Sequence, residues 1–141
     1  MRGYSYLLFA LLMTPSLGKI YERCELAREF HYTHGLDRNG LGNWVCLAYY
    51  ESSYNTNAVG GPNGNGSYDY GIFQINDGFW CYPPDTHADC NMSCSSLTDN
   101  DITNDVTCAK LIYNRHGFEA WYGWINNCQG TNVESWVSDC F

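Results

Sequence analysis

Apolar residues recur every three or four positions in four stretches of the chain, which predicts four helices. The first is a surface helix of about 10 residues after Cys24, with its inward positions at Leu26, Ala27, Phe30 and His31. Gly35 and the polar residues 37–40 end it in a loop. The second is apolar over much of its surface, so we expect it to be the central, buried helix. Its apolar positions are Leu41, Trp44, Val45, Ala48 and Tyr49.

The two remaining helices lie in the C-terminal half. Asp101 or Thr103 can cap the third helix, since both side chains accept hydrogen bonds from backbone N–H groups at a helix start. Its apolar positions keep the helical period and are Ile102, Val106, Ala109, Ile112 and Tyr113. The fourth helix is short, covers residues 121–125 and is rich in aromatic residues.

Between the second and third helices the pattern becomes turn-rich and extended. Asn63-Gly64 and Asn65-Gly66 are turn dipeptides. The residues after them favour short strands of a small antiparallel sheet, at Tyr70, Ile72, Phe73 and Ile75. Residues 77–100 are loop-like. We therefore expect one α+β domain, in which a mainly helical lobe and a small sheet lobe enclose a cleft, the usual place for a binding site.

The first 18 residues have the pattern of a secretory signal peptide. Arg2 precedes the apolar run 7–13, Pro15 interrupts that run, and Ser16 and Gly18 place small residues before a cut at Lys19. The run is too short to anchor the chain in a membrane, and a buried N-terminal helix is the disfavoured alternative. We expect a secreted, extracellular protein whose single domain covers residues 19–141.

The chain has eight cysteines, an even number, and with a secretory signal this predicts disulfide bonds. Spacing alone leaves every pairing open. A zinc site is disfavoured, because the chain has no Cys-x-x-Cys motif and the close pair Cys90 and Cys94 has no matching second pair.

The composition is acidic, with 7 Lys and Arg against 15 Asp and Glu and a formal net charge of −8 at pH 7. Loss of Arg2 with the signal peptide makes the charge more negative by one. Such a surface repels nucleic acid and anionic membranes, so we expect neither as a partner. Anionic bacterial walls will not attract it over long distances either.

Two acids stand at places that suit glycosidic bond cleavage. Glu51 ends the apolar second helix, and Asp69 lies in the strand-like run, close to Ser67, Gln74 and Asn76. Cleavage needs one carboxyl group that stays protonated and one that stays ionised. An apolar helix end favours the first state, and polar neighbours favour the second. Taken singly, each acid is better read as an ordinary surface residue.

In order along the chain, many motifs resemble those of the c-type lysozymes. They are Arg23-Cys-Glu-Leu-Ala27, His34-Gly-Leu-Asp37, Leu41-Gly-Asn-Trp-Val-Cys46, Glu51-Ser52, Gly66-Ser67, Asp69-Tyr-Gly-Ile72, Gln74-Ile-Asn76, Trp80-Cys81, Asp101-Ile-Thr103, Cys108-Ala-Lys110, Ala120-Trp121 and Asp139-Cys140. Asn76-Asp77 and the Cys140-Phe141 terminus are most similar to arthropod members.

The resemblance implies the lysozyme fold, with four disulfides: Cys24–Cys140, Cys46–Cys128, Cys81–Cys94 and Cys90–Cys108. It gives Glu51 the part of the general acid and Asp69 that of the nucleophile or charge stabiliser, a division of roles for which lysozyme is the established example. It also places Trp121 beside Glu51.

Sugar-binding residues are implied in the same way. They are Asn63, Gln74, Asn76, Phe79, Trp80, Ala120 and Trp121. Aromatic faces suit the apolar faces of pyranose rings, and amides suit their hydroxyl and acetamido groups. Phe79 departs from the family, in which many members carry Trp at this position, so an indole N–H is lost at that outer subsite.

Asp99, Asp101 and Asp105 resemble the calcium loop of α-lactalbumin and of calcium-binding lysozymes. Asn104 stands where that loop has a fourth carboxylate, so the implied site is weak. The favoured alternative is a solvated acidic turn that caps a helix. We otherwise expect no cofactor.

The predicted function is hydrolysis, by a retaining mechanism, of the β-1,4 bonds between N-acetylmuramic acid and N-acetylglucosamine in bacterial peptidoglycan. Chitin oligomers are a second expected substrate, and we expect a monomer. The acidic surface favours a digestive role at acid pH over a general antibacterial one. The alternative function is non-catalytic sugar binding, as in α-lactalbumin-like proteins. Asn65 and Asn91 begin glycosylation sequons, the first near the predicted cleft.

Overall fold

The computed structural model describes residues 18–84, 86 and 88–141. The predicted signal peptide therefore lies outside the described residues, except for Gly18. The helices are α1 (Arg23–Arg28), which continues as a π-helical turn (Glu29–Thr33), α2 (Leu41–Ser52), α3 (Thr103–His116) and α4 (Tyr122–Asn127). Short 3-10 turns cover Cys94–Leu97, Phe118–Ala120 and Val133–Trp136.

The predicted central helix is confirmed. Nearly all of α2 before Tyr49 is buried, and it packs against α1, α4 and the turn Val133–Trp136. It begins after Gly40, whose φ of 84° lies in the left-handed region that glycine adopts without strain. Its last turn points toward the sheet lobe and carries Glu51 there.

Aromatic rings join the two lobes. Phe30 stacks on Phe73 with their ring centroids 5.6 Å apart, so the π-helical turn after α1 is packed directly on the sheet lobe. The edge-on contacts of the Trp44 ring reach Phe73, Phe118 and Trp121. A single hydrophobic core therefore supports both walls of the cleft.

The sheet has three short antiparallel strands in the order β1 (Val59–Gly60), β2 (Asp69–Tyr70) and β3 (Ile75–Asn76). The prediction of strands at Ile72 and Phe73 was wrong, because both residues lie in the turn between β2 and β3. Both side chains are fully buried. A strand would send neighbouring side chains to opposite faces, whereas the turn lets both enter the core.

All four implied disulfides are present, Cys24–Cys140, Cys46–Cys128, Cys81–Cys94 and Cys90–Cys108. The first joins the two ends of the described chain, and the second ties α2 to the end of α4. The third closes a loop within the loop-rich residues 77–100, and the fourth ties that segment to α3. The fold is the expected α+β arrangement, with the helical lobe and the sheet lobe on either side of a cleft.

Asp101 rather than Thr103 provides the side-chain acceptor at the start of α3, whose N-cap position is Ile102. The Asp101 carboxylate accepts hydrogen bonds from the backbone N–H of Thr103 at 3.0 Å and from its hydroxyl at 2.7 Å. Among the described helices, none combines the length and the apolar character needed to cross a membrane.

Candidate active site

Glu51 lies in the last turn of α2 at the back of the cleft. Its carboxylate oxygen Oε2 accepts a hydrogen bond from the Gly123 backbone N–H at 3.0 Å. Burial raises the pKa of Glu51 to about 7, and the negative charge of Asp69 acts in the same direction, while the Gly123 N–H acts against them. The side chain can therefore hold a proton at acid and neutral pH and release it to a bound ligand.

The approach of Gly123 to Glu51 is possible only because residue 123 has no side chain. A Cβ atom there would lie 2.5 Å from Glu51 Oε2, much closer than a van der Waals contact. Gly123 is in the first turn of α4, where its N–H is free of the helix ladder and available to another acceptor. The start of α4 thus holds the Glu51 carboxyl in one position.

Asp69 lies on β2, in a polar part of the cleft. Its Oδ1 accepts a hydrogen bond from Asn76 Nδ2 at 2.9 Å, and its Oδ2 accepts one from Asn63 Nδ2 at 3.0 Å. The strand register places Asp69 directly opposite Asn76 on β3. Both amides also donate to Ser67 Oγ. Asp69 is an acceptor on both oxygens, which is the role of a carboxylate.

Glu51 and Asp69 line the same cavity, which has a volume of about 660 Å³. The other lining residues come from α2, α4 and the sheet lobe: Tyr50, Asn63, Gly64, Asn65, Ser67, Gln74, Asn76, Phe79, Trp121, Tyr122 and Gly123. This volume is typical of a site for a small ligand, and its walls combine amides with aromatic rings. The residues match the chemistry of a sugar chain.

Trp121 is fixed in the wall of the cavity. Its side chain is only 5% exposed, and its indole N–H donates to the Phe73 carbonyl oxygen at 2.9 Å. This bond connects the segment before α4 with the turn between β2 and β3. The ring provides apolar surface in the cavity that also contains Glu51.

Five of the seven implied sugar-binding residues line the cavity: Asn63, Gln74, Asn76, Phe79 and Trp121. Trp80 and Ala120 do not. Trp80 is partly buried against the core, with its ring edge-on to His116 at 5.9 Å and the Arg115 guanidinium 5.7 Å from its centroid. Ala120 is exposed at the end of the turn Phe118–Ala120.

Gln74 was expected to hydrogen-bond Asp69, but its amide nitrogen is used elsewhere. It donates to the backbone oxygens of Ala58 at 3.2 Å and Gly71 at 3.0 Å, which stabilises the turn that follows β2. Asn63 occupies the expected place instead. Sequence spacing could not show this, since Asn63 reaches Asp69 only through the closed turn at 63–67.

The family model described as C-type lysozyme/alpha-lactalbumin family matches residues 19–140. The chain belongs to this family. It is 43% identical to Lysozyme c-1 of Anopheles gambiae over the full length of both chains. It is 48% identical to a lysozyme of Bombyx mori, covering 95% of this chain and 97% of the relative. Lysozyme C of Ortalis vetula is also 48% identical, over 86% of this chain and 98% of the relative.

The matches confirm the resemblance to c-type lysozymes and to their insect members. Relatives that carry the name lysozyme support an enzyme of the glycosidase class. Six cavity residues were not among the predicted catalytic or sugar-binding residues: Gly64, Asn65 and Ser67 in the turn 63–67, and Tyr50, Tyr122 and Gly123 at the end of α2 and the start of α4. Their place in the sequence could have indicated the two tyrosines, since Tyr50 directly precedes Glu51 and Tyr122 directly follows Trp121. Tyr122 is 80% exposed, which is unusual for an aromatic ring without a partner and suits ligand contact.

Asp99 and Asp101 lie in the loop before α3, and Asp105 lies in its first turn. Among the described residues, the oxygens of these three side chains do not gather into a common cluster. Asp101 accepts hydrogen bonds from Thr103 at the start of α3, Asp99 accepts a hydrogen bond from the Asp101 N–H at 3.1 Å, and Asp105 is fully buried. Calcium binding stays a prediction that titration calorimetry can test, and no step of the reaction depends on it.

Asn65, the start of the first sequon, is exposed and lines the cavity. Its Oδ1 accepts hydrogen bonds from the Ser67 N–H and hydroxyl, at 3.0 and 2.6 Å. A glycan on Asn65 would enter the cavity. Asn91 is exposed on the loop between Cys81 and Cys94, away from the cleft.

Proposed function

We propose that this family member is a secreted lysozyme that hydrolyses the β-1,4 bonds between N-acetylmuramic acid and N-acetylglucosamine in bacterial peptidoglycan. One observation supports this most strongly: a buried carboxyl with a pKa of about 7 and a hydrogen-bonded carboxylate line one cavity. The lysozyme relatives support the same activity.

In the proposed reaction, Glu51 protonates the glycosidic oxygen as the bond to the anomeric carbon breaks. Asp69 approaches that carbon from the other side and forms a covalent glycosyl–enzyme bond. Glu51, now ionised, takes a proton from a water molecule, which attacks the anomeric carbon and releases Asp69. Each of these two displacements inverts the anomeric carbon, so the product keeps the anomeric configuration of the substrate.

The cavity walls support a substrate made of N-acetylated sugars. The Asn63 and Asn76 amides hold Asp69 and line the cleft, and Trp121, Phe79 and Tyr122 line it with aromatic rings. Chitin oligomers share the β-1,4-linked N-acetylglucosamine units, so we propose them as a second, uncharged substrate. The protein acts as a monomer in this proposal.

Secretion is part of the proposal, with cleavage before Lys19. The Lys19 backbone nitrogen donates to Thr56 Oγ1 at 2.7 Å, and its carbonyl accepts from the Thr56 N–H at 2.9 Å. The Lys19 ammonium also pairs with Glu25 at 2.5 Å. These contacts give the proposed new N-terminus a fixed place beside the sheet lobe.

A digestive role at acid pH is proposed over a general antibacterial one. The net charge of the full sequence, −8, becomes more negative by one when Arg2 is removed, and it opposes contact with anionic bacterial walls at neutral pH. Part of this charge is neutralised as pH falls, and Glu51 is then protonated. Both effects favour lysis in an acid medium, and a pH profile of wall lysis that peaks at or above neutral would contradict this role.

The alternative is a non-catalytic sugar-binding protein on the same fold. Such a protein needs neither a proton donor nor a nucleophile, yet this chain places both Glu51 and Asp69 in the cavity. The burial of Glu51 opposes ionisation, and sugar binding alone does not require that. The geometry therefore favours the enzyme.

The test uses Glu51→Gln with peptidoglycan suspension and chitin oligomers. We expect hydrolysis to be abolished while circular dichroism and thermal unfolding stay unchanged, because glutamine keeps the shape and cannot donate the proton. Glu119→Gln is the matched control, since Glu119 is an exposed acid outside the cavity and should leave activity unchanged. A folded and fully active Glu51→Gln protein would contradict the proposal. The anomeric configuration of the first product, read by NMR, tests retention.

A further inference from the structure

The turn 63–67 on the sheet side of the cleft contains two Asn-Gly pairs, Asn63-Gly64 and Asn65-Gly66. Asparagine before glycine is chemically labile, because no side chain on the next residue hinders attack of its backbone nitrogen on the asparagine side chain. Both pairs are exposed. Their backbone surroundings differ, however, and the difference decides which pair can react.

Gly66 is the protected member. Its N–H donates to the Asn63 carbonyl oxygen at 2.8 Å, so its nitrogen is held in the turn and directed away from the Asn65 side chain. The Asn65 carbonyl oxygen Oδ1 is also fixed by the two hydrogen bonds from Ser67. Reaction at Asn65 requires these three bonds to break.

Gly64 has no such restraint. Within the part of the chain that the structure describes, its N–H donates no hydrogen bond, and a Cβ built on it would have nothing within 4 Å. The Asn63 side chain is held by its amide nitrogen, which donates to Asp69 Oδ2 and Ser67 Oγ, both at 3.0 Å, while its oxygen Oδ1 accepts no hydrogen bond from the described residues. Reaction at Asn63 therefore needs these two bonds of an exposed side chain to break, whereas the attacking Gly64 nitrogen is already free.

We propose that Asn63 is a deamidation site whose conversion inactivates the cleft. The Gly64 nitrogen bonds to Asn63 Cγ, the Cγ–Nδ2 bond breaks, and the leaving nitrogen takes the Gly64 proton and departs as ammonia. Water then opens the resulting succinimide ring and leaves an aspartate or isoaspartate at position 63. No oxidant or metal takes part.

Conversion of Asn63 inactivates the cleft because it removes a hydrogen bond to Asp69. Its amide nitrogen is the hydrogen-bond donor to Asp69 Oδ2. After conversion, two carboxylates face each other at that distance, and like charges this close cannot both stay ionised at low cost. This step rests on the proposed role of Asp69 as nucleophile, since a partly protonated Asp69 attacks less readily.

The conversion also gives the enzyme a pH-dependent lifetime. The attacking backbone nitrogen must lose its proton, so the reaction is faster in neutral and alkaline media than in acid. The enzyme keeps its site intact in the acid medium proposed for its activity and loses it elsewhere.

The experiment incubates the full mature protein at acid and at mildly alkaline pH and follows residues 63 and 65 by peptide mapping and mass spectrometry. We expect conversion at Asn63 before Asn65, faster in alkali, with chitin-oligomer hydrolysis falling in step with the unconverted fraction. The variant Gly64→Ala should retain its own starting activity several-fold longer, because a methyl group hinders the attack. Gly64 has an ordinary backbone conformation, so alanine is tolerated there.

Asn63→Asp, expressed as such, should fold normally and lose most of its activity. Conversion at Asn65 first, equal decay of Gly64→Ala, or full activity of Asn63→Asp would each overturn the inference. Peptide mapping reads the modification without any activity. Inactive fresh protein would therefore count against the proposed function, and unconverted Asn63 would count against this inference alone.

Discussion

At the scale of residues, the two acids of the cleft differ because their surroundings differ. Glu51 ends an apolar helix and receives one hydrogen bond, from Gly123. Asp69 stands between two asparagines that donate to both of its oxygens. The first setting favours a protonated acid, and the second provides a positioned acceptor. This asymmetry is what a two-carboxylate glycosidase requires.

The first prediction concerns pH. Glu51 must be protonated to act as the acid, and its pKa is raised to about 7 chiefly by burial. Activity should therefore be lost as pH rises through about 7. Hydrolysis of an uncharged chitin oligomer is the measurement, because it removes the effect of wall charge. A rate that stays constant well into the alkaline range would show that the acid is a different group.

A second prediction concerns Gly123. The change Gly123→Ala places a methyl group against Glu51 Oε2 and displaces the carboxyl. We expect kcat to fall on the order of 10²-fold, as for a small misplacement of a catalytic group. Steady-state kinetics with a thermal unfolding control measure this. Unchanged kcat in the folded variant would mean that the Gly123 contact does not position Glu51.

At the scale of elements, α3 and the turn after β2 meet at a buried carboxyl. Asp105, in the first turn of α3, is fully buried, and its two oxygens have no hydrogen-bond partner among the described residues. Burial, reinforced by the charges of Asp99 and Asp101, raises the pKa of Asp105 to about 8. The backbone N–H groups of Asp105 and Ile72 lower the pKa of this carboxyl, although neither forms a hydrogen bond of good geometry with it.

The third prediction is that Asp105→Asn stabilises the protein increasingly as pH rises. The folded chain keeps the Asp105 proton to about pH 8, whereas the unfolded chain releases it near its ordinary pKa of 3.8. The native state thus binds more protons between these values, and its stability falls as pH rises through them. At mildly alkaline pH, the free energy of unfolding of the variant should exceed that of the unsubstituted protein by on the order of 1–3 kcal/mol.

Thermal unfolding of both proteins at acid and mildly alkaline pH, with calcium chelated, tests this. The other carboxylates are the same in both proteins, so the difference in their stability reports the titration of residue 105 alone. A difference that does not change with pH would show that Asp105 is not the titrating group.

At the scale of the whole molecule, disulfides and charge determine where the enzyme can work. Four disulfides connect the described ends, the central helix and the loop-rich segment, and each typically stabilises a small secreted domain by about 2–5 kcal/mol. The net negative charge keeps the protein away from other polyanions. The disulfide framework stabilises the folded domain, and the charge opposes its approach to negatively charged surfaces.

The fourth prediction concerns salt. At neutral pH, added salt should increase the rate of peptidoglycan lysis, because it screens the repulsion between the acidic enzyme and an anionic wall over about 8–10 Å. Hydrolysis of uncharged chitin oligomers should stay unchanged and is the control. Turbidity clearing at several salt concentrations measures the effect. A steady fall in lysis with salt would mean that attraction, not repulsion, governs the encounter.

Sequence reasoning succeeded where one local pattern decides the outcome. The helical period identified α2 as the central helix, and the ordered motifs implied the four disulfides that the structure confirms. It failed at Ile72 and Phe73. Their apolar side chains suggested a strand, but both enter the core from a turn, in which neighbouring side chains need not point to opposite faces. It also missed Tyr50, Tyr122 and Gly123, since each joins the cavity only when α4 packs across the end of α2.

The sequence by itself determined the helices, the two acids and the charge, because these depend on residue type and on neighbours along the chain. Only the tertiary structure decided which groups touch. Gly123 reaches Glu51 across 72 residues of sequence, and Trp121 reaches the Phe73 carbonyl across 48. Asn63 turns its amide to Asp69 while Gln74 turns away. These contacts form when the two lobes pack on one core, and no local sequence pattern predicts them.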